Sequence, residues 1–490
     1  MSGLPCGWTS ASLADLIAPD GIFSDGDWVE SKDQDPAGEI RLLQLADIGD
    51  GVFVDKSNRF VNDSKFEQLR CTEVFEGDVL IARMPYPLGR ACLAPHLRRR
   101  CITVVDVAVA RPGAYSVEPK WLMHFLNAPQ VRQVIEMQSS GTTRRRISRG
   151  KLAQLNLPIP PLCEQERIAD KLDFLFAQVT ACRSHIDRIP DILKRFRQSV
   201  LSAATTGELT REWREERSEE LEWEMSSIAE IATQVFDGPF GSHLKSKDYV
   251  DSGVRVIRLE NIASLRFIEE KRTYVSREKY DSLKKHTLEA GDILFSSFVD
   301  EEVRVCMLPD GLDGTAINKA DCFCIRAHRV RCLPEFLLLR LAAPSTFDVL
   351  DDSVHGATRP RINLGQLRSI QFPLPTLAEQ HEIVRRATVL LGFADSLERR
   401  LELVRHLLER TTPSMLAKAF RGALVPQDAN DEHASELLAN LRAKKANGSI
   451  NRPGKRSSTS EARANSGRTV KNAKTAGSSS RRRAVSRTKS

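Results

Sequence analysis

The 490-residue sequence predicts an α+β protein built twice over. Two mixed α/β modules are separated by two long helices that form an antiparallel coiled coil, and the halves are related by a pseudo-two-fold internal repeat. A disordered basic C-terminal tail follows. Three observations predict this. The chain overlays on itself at a shift of about 215 residues, each copy ends in a heptad run, and residues 446–490 are almost without large apolar side chains.

A fixed long period marks a duplicated architecture. At a shift of 215, Trp8, Ser12, Leu13 and Leu16 meet Trp223, Ser227, Ile228 and Ile231. At 214, Leu43–Ile48 meets Ile257–Ile262, and Gly77–Leu80 meets Gly291–Leu294. At 215 again, Gly141–Ile147 meets Gly356–Ile362, and Pro158, Pro160, Glu164 and Gln165 meet Pro373, Pro375, Glu379 and Gln380. Leu201, Ala204, Gly207 and Leu209 then meet Leu416, Ala419, Gly422 and Leu424. The implied divisions are a first module over 1–160, a spacer helix over 161–212 and a second module over 213–375. A distal spacer helix over 376–426, a short helical extension over 427–445 and the tail over 446–490 complete the chain.

Within each module, short β-type runs alternate with glycine turns. They are Arg41–Ile48, Asp78–Ala82 and Cys101–Ala110 in the first copy, and Val254–Leu259 and Asp292–Ser296 in the second. In the first spacer, apolar residues fall at Ile168, Leu172, Leu175, Val179, Cys182, Ile186, Ile189, Leu193, Phe196 and Val200. In the second they fall at Ile383, Ala387, Leu390, Ala394, Leu397, Leu401, Val404 and Leu408. Steps of four and three make a coiled-coil seam, and two matched seams in one chain predict that the helices pair. Thr376 with Glu379 forms a capping box, and Pro161 occupies the matching place in copy one. Pro190 falls inside the first seam and predicts a kink. A helix over residues 161–204 would span roughly 60 Å, a stiff rod holding two modules apart.

Composition narrows the function. Residues 446–490 hold twelve Lys and Arg against the single acid Glu461, a net +11, so the overall +7 leaves −4 for residues 1–445. A nucleic-acid surface on the body must then be a local patch. No signal pattern opens the chain and no apolar run nears the roughly 18–20 residues of a membrane span, which predicts a soluble cytoplasmic protein. Ten cysteines without a secretion signal read as reduced thiols. Cys322, Cys324, His328 and Cys332 invite a zinc site, but Cys322 and Cys324 alternate with Phe323 and Ile325 and fall on Val107 and Val109 under the repeat, so strand packing is the better reading and no metal is expected. Asp20, Glu30 and Lys32 loosely match a metal-nuclease pattern, yet copy two has no acids there. Phosphate-binding loops, dinucleotide fingerprints and the Asn/Asp-Pro-Pro-aromatic methyltransferase tetrapeptide are absent from the sequence, so no catalytic residue is expected.

The segments closing the modules, Gly141–Ile147 and Gly356–Ile362, are rich in arginine. Arg144, Arg146, Arg359 and Arg361 can fork to guanine edges or phosphates, beside a glycine that permits close approach. Arg83 and Arg90 flank a Pro/Gly loop; Arg90 meets Arg304 in copy two, but Arg83 meets Ser297.

These residues carry a family resemblance. Gly-Thr-Thr-Arg-x-Arg-Ile followed by Pro-x-Pro-Pro-Leu-x-Glu-Gln-x-Arg-Ile (141–168) resembles the end of a target-recognition domain in the specificity subunits of type I restriction–modification systems. Gly238-Pro-Phe-Gly-Ser-x-Leu-Lys-Ser-x-Asp-Tyr249 resembles the opening of the second such domain, and 195–201 and 422–426 are similar to the ends of the family's helical spacers. The resemblance implies a DNA-binding subunit without catalytic residues, each domain docking in the major groove on one half of a bipartite, asymmetric double-stranded DNA site. The spacers would fix the gap and dock two methyltransferase subunits, which bring S-adenosylmethionine and flip an adenine in each half-site. Restriction subunits, where present, would add ATP- and Mg-dependent translocation and cleavage.

Carried over by position, the DNA contacts are Gly141, Thr143, Arg144 and Arg146 in the first domain, and Gly356, Thr358, Arg359 and Arg361 in the second, with Gly238, Ser242 and Lys245 beside them. Copy one lacks the Gly-Pro-Phe-Gly opening; its counterpart region reads Ile22-Phe-Ser-Asp-Gly26. Two rival readings stay open: a coiled-coil scaffold with protein-binding halves, and a nuclease using Asp20, Glu30 and Lys32. The tail predicts disorder, with nonspecific phosphate attraction or simple solubilisation as its role.

Overall fold

The computed structural model describes residues 3–450 apart from 85, 142–143, 221, 242, 300–301, 313–314 and 353–359. Each module, or head, is closed by a strand pair that joins its two ends. Thr9–Ser12 runs antiparallel to Asn156–Ile159 with Thr9 opposite Ile159, and Glu224–Ser227 runs antiparallel to Gln371–Leu374 with Glu224 opposite Leu374. Both partners of the pair are displaced by 215, so the duplication read from side chains is also a duplication of backbone register.

The main sheet of the first head is antiparallel, ordered Ile22–Ser24, Val107–Arg111, Val79–Ala82, Ala91–Leu93. Its counterpart is ordered Ala232–Phe236, Cys322–Ala327, Ile293–Ser296, Val305–Met307. A smaller sheet sets Ile40–Leu43 parallel to Cys101–Thr103, matched by Val254–Ile257 beside Ala316–Asn318. Val79–Ala82 is buried on both faces because side chains alternate with period two. Val79 and Ile81 pack with Trp121, Leu122 and Leu126 of a helical layer, whereas Leu80 and Ala82 face a second core with Leu43 and Cys101.

The cysteine cluster is resolved by the same alternation. Cys322 and Cys324 lie in the second head's small core, the place Val107 and Val109 take in the first, while Cys332 lies in a different core. Burial pushes all three thiols above their ordinary range. They fill space as small apolar groups.

The rod consists of a proximal helix, Leu162–Ile186, its continuation, Ile189–Thr206, and a 43-residue distal helix, Leu377–Ala419. The break at Asp187–Arg188 places Pro190 in the first turn of the continuation, where its missing N–H costs nothing. Arg197 reaches Asp395 at 2.7 Å, Arg405 lies 3.6 Å from Asp187, and Arg386 donates to the Leu209 carbonyl at 3.1 Å. Numbers rise along one helix as they fall along the other, so the pair is antiparallel. The pseudo-two-fold axis crosses the rod near Arg188 and its repeat partner Leu403.

Most of the seam is inside. Ile168, Leu172, Val179, Leu193, Ile383, Ala387, Ala394 and Leu401 are buried. Leu175, Ile186, Ile189, Leu390, Leu397 and Leu408 are half-buried. Cys182 and Val404 correct the expected seam, since both are exposed. They flank the helix break at the rod's middle, where two helices face each other with no head to cover them and the break turns the stripe. Toward each end the seam merges with a head core. Ile168, Leu172, Leu416 and Ala419 join the first, and Val200, Leu201, Ile383 and Ala387 join the second.

The Glu-Gln pair opening each spacer fastens head to rod. Gln165 accepts from the Glu118 N–H at 2.9 Å and donates to the Pro160 carbonyl at 2.9 Å. Gln380 repeats this with Leu333 and Pro375, both at 2.8 Å. Trp8 Nε1 donates to Glu164 at 2.9 Å, and Trp223 Nε1 donates to Glu379 at 2.8 Å. This part of the resembling motif is structural.

The helical extension begins at Ala434 and runs to Ile450, beyond the expected limit at 445. Leu438 and Leu441 are buried against the first head's core, and the Ala434 N–H donates to the Gly7 carbonyl at 3.0 Å. Residues 451–490 lie outside the described residues. No helix among the described residues is long and apolar enough to cross a membrane.

Candidate nucleic-acid interface

The arginine-rich segment of the first head is a tight loop closed by reciprocal backbone bonds. The Ser140 N–H donates to the Arg146 carbonyl at 3.0 Å, and the Arg146 N–H donates to the Ser140 carbonyl at 2.9 Å. Gly141 has φ +98°, and a β-carbon there would lie 2.6 Å from the Arg144 carbonyl oxygen, so glycine is required. The loop is stitched to the main sheet by the Ile147 N–H, which donates to the Arg83 carbonyl at 3.1 Å; in copy two the Ile362 N–H donates to the Ser297 carbonyl at 2.9 Å.

Arg144 is exposed at this loop. Arg146 lies 2.7 Å from Asp106, and Arg361 pairs with Asp321 in the same way. Asp106 and Asp321 are repeat partners, so each head holds its closing arginine against one aspartate. Both arginine side chains remain about two-fifths exposed, at 41% and 43%, so each retains N–H donors facing water.

Arg83 corrects the sequence reading. It is 2% exposed, ion-pairs with Asp25 at 3.0 Å and donates to the Val105 carbonyl. Burial lowers the pKa of its guanidinium, and Asp25 opposes that shift. Ser297, also buried, takes its place in copy two. The sequence could not reveal that Asp25, 58 positions away, would reach it. Arg83→Met is expected to lower thermal stability by about 2 kcal/mol, the scale of a hydrogen bond to a charged group. Differential scanning fluorimetry checks this; an unchanged melting temperature would show that the interior contacts are not needed.

A cleft of about 420 Å³ lies here, lined by Asp25, Arg83, Ser140, Arg146, Ser148, Arg149 and Gly150. Arg149 escaped the sequence reading although it follows Ile147 by two positions. It donates to the Phe23 carbonyl at 2.8 Å, lies 3.6 Å from Asp25, and its side chain is 48% exposed. Its repeat partner is Leu364. The Arg98-Arg99-Arg100 run was also missed. It leads into Cys101–Thr103 of the smaller sheet, where Arg99 and Arg100 cover Phe60 and Phe66 and Arg100 pairs with Glu73 and Asp63.

Arg90 and Arg304 occupy the same place in the two main sheets. Their carbonyls accept from the Ala82 and Ser296 N–H groups at 2.7 and 2.9 Å, and both are half-buried. Lys245 is exposed, and its backbone N–H donates to Asp248 at 2.7 Å. Gly238 is a second correction: it is buried, and a β-carbon there would strike the Asn318 carbonyl, so its glycine serves backbone packing and not a ligand. Thr143, Ser242, Gly356, Thr358 and Arg359 lie outside the described residues.

The nuclease pattern has a different explanation. Glu30 and Lys32 pair at 2.7 Å around a Ser31–Asp33 turn. The turn recurs as Ser246–Asp248, with Lys245 in place of Glu30. Asp33 meets Lys65 at 3.0 Å and Asp248 meets Lys279 at 3.5 Å. Asp20 accepts from the Ala114 N–H at 3.0 Å. These acids shape turns.

The model of the type I restriction modification DNA specificity domain matches residues 21–189 and again 220–404. The chain belongs to this family. Among related specificity subunits, that of the type I restriction enzyme EcoKI from Escherichia coli K12 is 31% identical over 372 residues, covering 72% of this chain and 77% of that subunit. The EcoBI specificity subunit of Escherichia coli is 30% identical over 337 residues, 65% of this chain and 70% of that one. The fold is shared with a solved chain of a type I restriction–modification assembly, with TM-score 0.65 and 19% identity over 86% of this chain and 100% of that chain. It is shared too with the HsdS subunit of Thermoanaerobacter tengcongensis, with TM-score 0.57 and 19% identity over 86% and 98%. In this specificity subunit, the two domain matches fall on the two heads and extend into the rod helices, and the exposed arginines belong to the heads.

Proposed function

We propose that each head of this specificity subunit reads one half of a bipartite, asymmetric DNA site, while the rod sets the gap and docks two copies of an adenine methyltransferase subunit. The observation that carries this reading is the symmetry of the framework set against the asymmetry of the loops. The ion pairs Arg146–Asp106 and Arg361–Asp321 recur, yet Arg149 and Glu30 give way to Leu364 and Lys245. One scaffold with two loop chemistries reads two different half-sites. The distal helix, at 43 residues, is about 65 Å long, enough to separate half-sites one DNA turn of about 34 Å apart.

The same symmetry supports two identical partners. Phe174 and Val389 are repeat partners, 57% and 64% exposed, and so are Ile192 and Leu407, at 53% and 62%. Each precedes a seam residue by one position, which puts all four on one flank of the antiparallel rod. Exposed apolar residues recurring about a two-fold axis suit two copies of a single protein. S-adenosylmethionine reaches the DNA on those subunits, and ATP with Mg²⁺ on restriction subunits in a restriction-competent assembly.

Co-expression with the cognate methyltransferase subunit, followed by mapping of N6-methyladenine in the host genome, tests the reading. The expected motif has two unlike parts and an unspecified centre. A contiguous or palindromic motif would overturn it.

A further inference from the structure

The register of the main sheets aligns the two heads more finely than a constant shift does. Ser24 lies opposite Val109, and Phe236 lies opposite Cys324. Val109 and Cys324 are repeat partners, so Ser24 corresponds to Phe236. Asp25-Gly26-Asp27-Trp28 then corresponds to Asp237-Gly238-Pro239-Phe240. The glycines confirm this: a β-carbon on Gly26 would strike the Val104 carbonyl, and one on Gly238 would strike the backbone of Asn318 and Lys319, the same wall. Three additional residues after Phe240 restore the 215 shift at the Ser-Lys-Asp turns.

One consequence concerns Trp28 and Phe240. They are 67% and 52% exposed, at the same point of each head, although nothing else in the two tetrapeptides beyond Asp-Gly is shared. The edge of the Trp28 ring is held through Nε1, which donates to Glu30 at 3.2 Å, and two-thirds of the residue faces water. Three residues before it, Asp25 lines the arginine cleft. Exposed His243, Lys245 and Lys247 follow Phe240. An exposed ring three residues from an arginine-lined cleft in one head, and followed by exposed cations in the other, suits nucleic acid.

We infer that Trp28 and Phe240 are base-contacting, specificity-determining residues, packing their rings against base edges in the major groove, where a thymine methyl is the apolar feature available. The inference rests on the DNA-reading function proposed above and adds to it the residues that make apolar base contacts.

The test uses the full chain assembled with its methyltransferase subunits on a plasmid library randomised across the mapped site. Trp28→Ala should relax one half of the methylated motif about ten-fold at one position and leave the other half intact, and Phe240→Ala should do the mirror image. Trp28→Phe should retain discrimination, since phenylalanine serves in the second head. Uracil in place of the contacted thymine should reproduce the Trp28→Ala loss in the wild-type complex. Melting temperatures of the exposed-site variants should match wild type. Unchanged half-motifs, equal relaxation of both halves, or loss of methyltransferase assembly would overturn the inference. A wild-type complex without a two-part motif would instead overturn the DNA-reading proposal itself.

Discussion

Glu379→Gln is expected to destabilise the protein by roughly 3 to 5 kcal/mol, the cost of breaking one partner out of a buried ion pair. The matching substitution in the other copy, Glu164→Gln, is expected to cost nothing at neutral pH. The two glutamates are repeat partners, and each accepts from a tryptophan, but the rest of their surroundings differ. Glu379 is 3% exposed; Arg214, itself buried, and Thr210 both donate to its Oε1. Glutamine has one acceptor where Trp223, Thr210 and Arg214 need two, and it leaves the Arg214 charge uncompensated. Glu164 is fully buried, and its Oε1 has no hydrogen-bond partner.

Burial raises the pKa of Glu164, with its bond from Trp8 and the nearby Arg167 opposing the rise. A carboxyl raised above its unfolded value near 4.5 supports folding only below that value, and the support is lost as pH rises through the folded pKa. Once ionised, the buried Glu164 carboxylate is a cost that glutamine removes while still accepting from Trp8. Glu164→Gln should melt at or above wild type at pH 7, with the difference vanishing in acid. Thermal unfolding of the two variants across pH checks this. Equal losses in both would show that the pair of junctions is not electrostatically different.

Phe174→Asp and Val389→Asp should each remove one methyltransferase copy from the assembled complex. Both positions are more than half exposed on the rod, so a charge there disturbs no core, and the chain should melt normally. Burying such a side chain under a partner contributes about 1.5 to 3 kcal/mol, and an unpaired charge in its place adds a penalty. Affinity at that half should fall at least roughly 30-fold. Because the sites are related by the two-fold, light scattering should report two partners per chain for wild type, one for each single variant and none for the double. Full stoichiometry in the double variant would place the partners elsewhere.

How much of this was legible beforehand can be seen residue by residue. Periodicity announced the rod because Ile168 to Leu193 and Ile383 to Leu408 step by four and three, and the pairing followed from there being two of them. Its middle was not legible, since exposure of Cys182 and Val404 depends on where the heads stop covering the helices. The Glu-Gln pairs were recognisable as a motif, but only the fold showed Gln165 and Gln380 bonding to backbone on neighbouring elements. Trp28 was invisible as the partner of Phe240, because the shift read from flanking segments is 215 and the local shift is 212.

The sequence by itself determined the duplication, the two helices, the family and the arginine-rich loops, because these rest on local pattern and on a period carried along the chain. Tertiary structure alone decided which arginines turn inward. Arg83 is internal because Asp25 and the Val105 carbonyl meet it there, and Arg149 is half in water because its helix begins at the rim of the same cleft. A guanidinium's orientation is set by the acceptors that distant segments bring within about 3 Å, and linear order does not encode that distance.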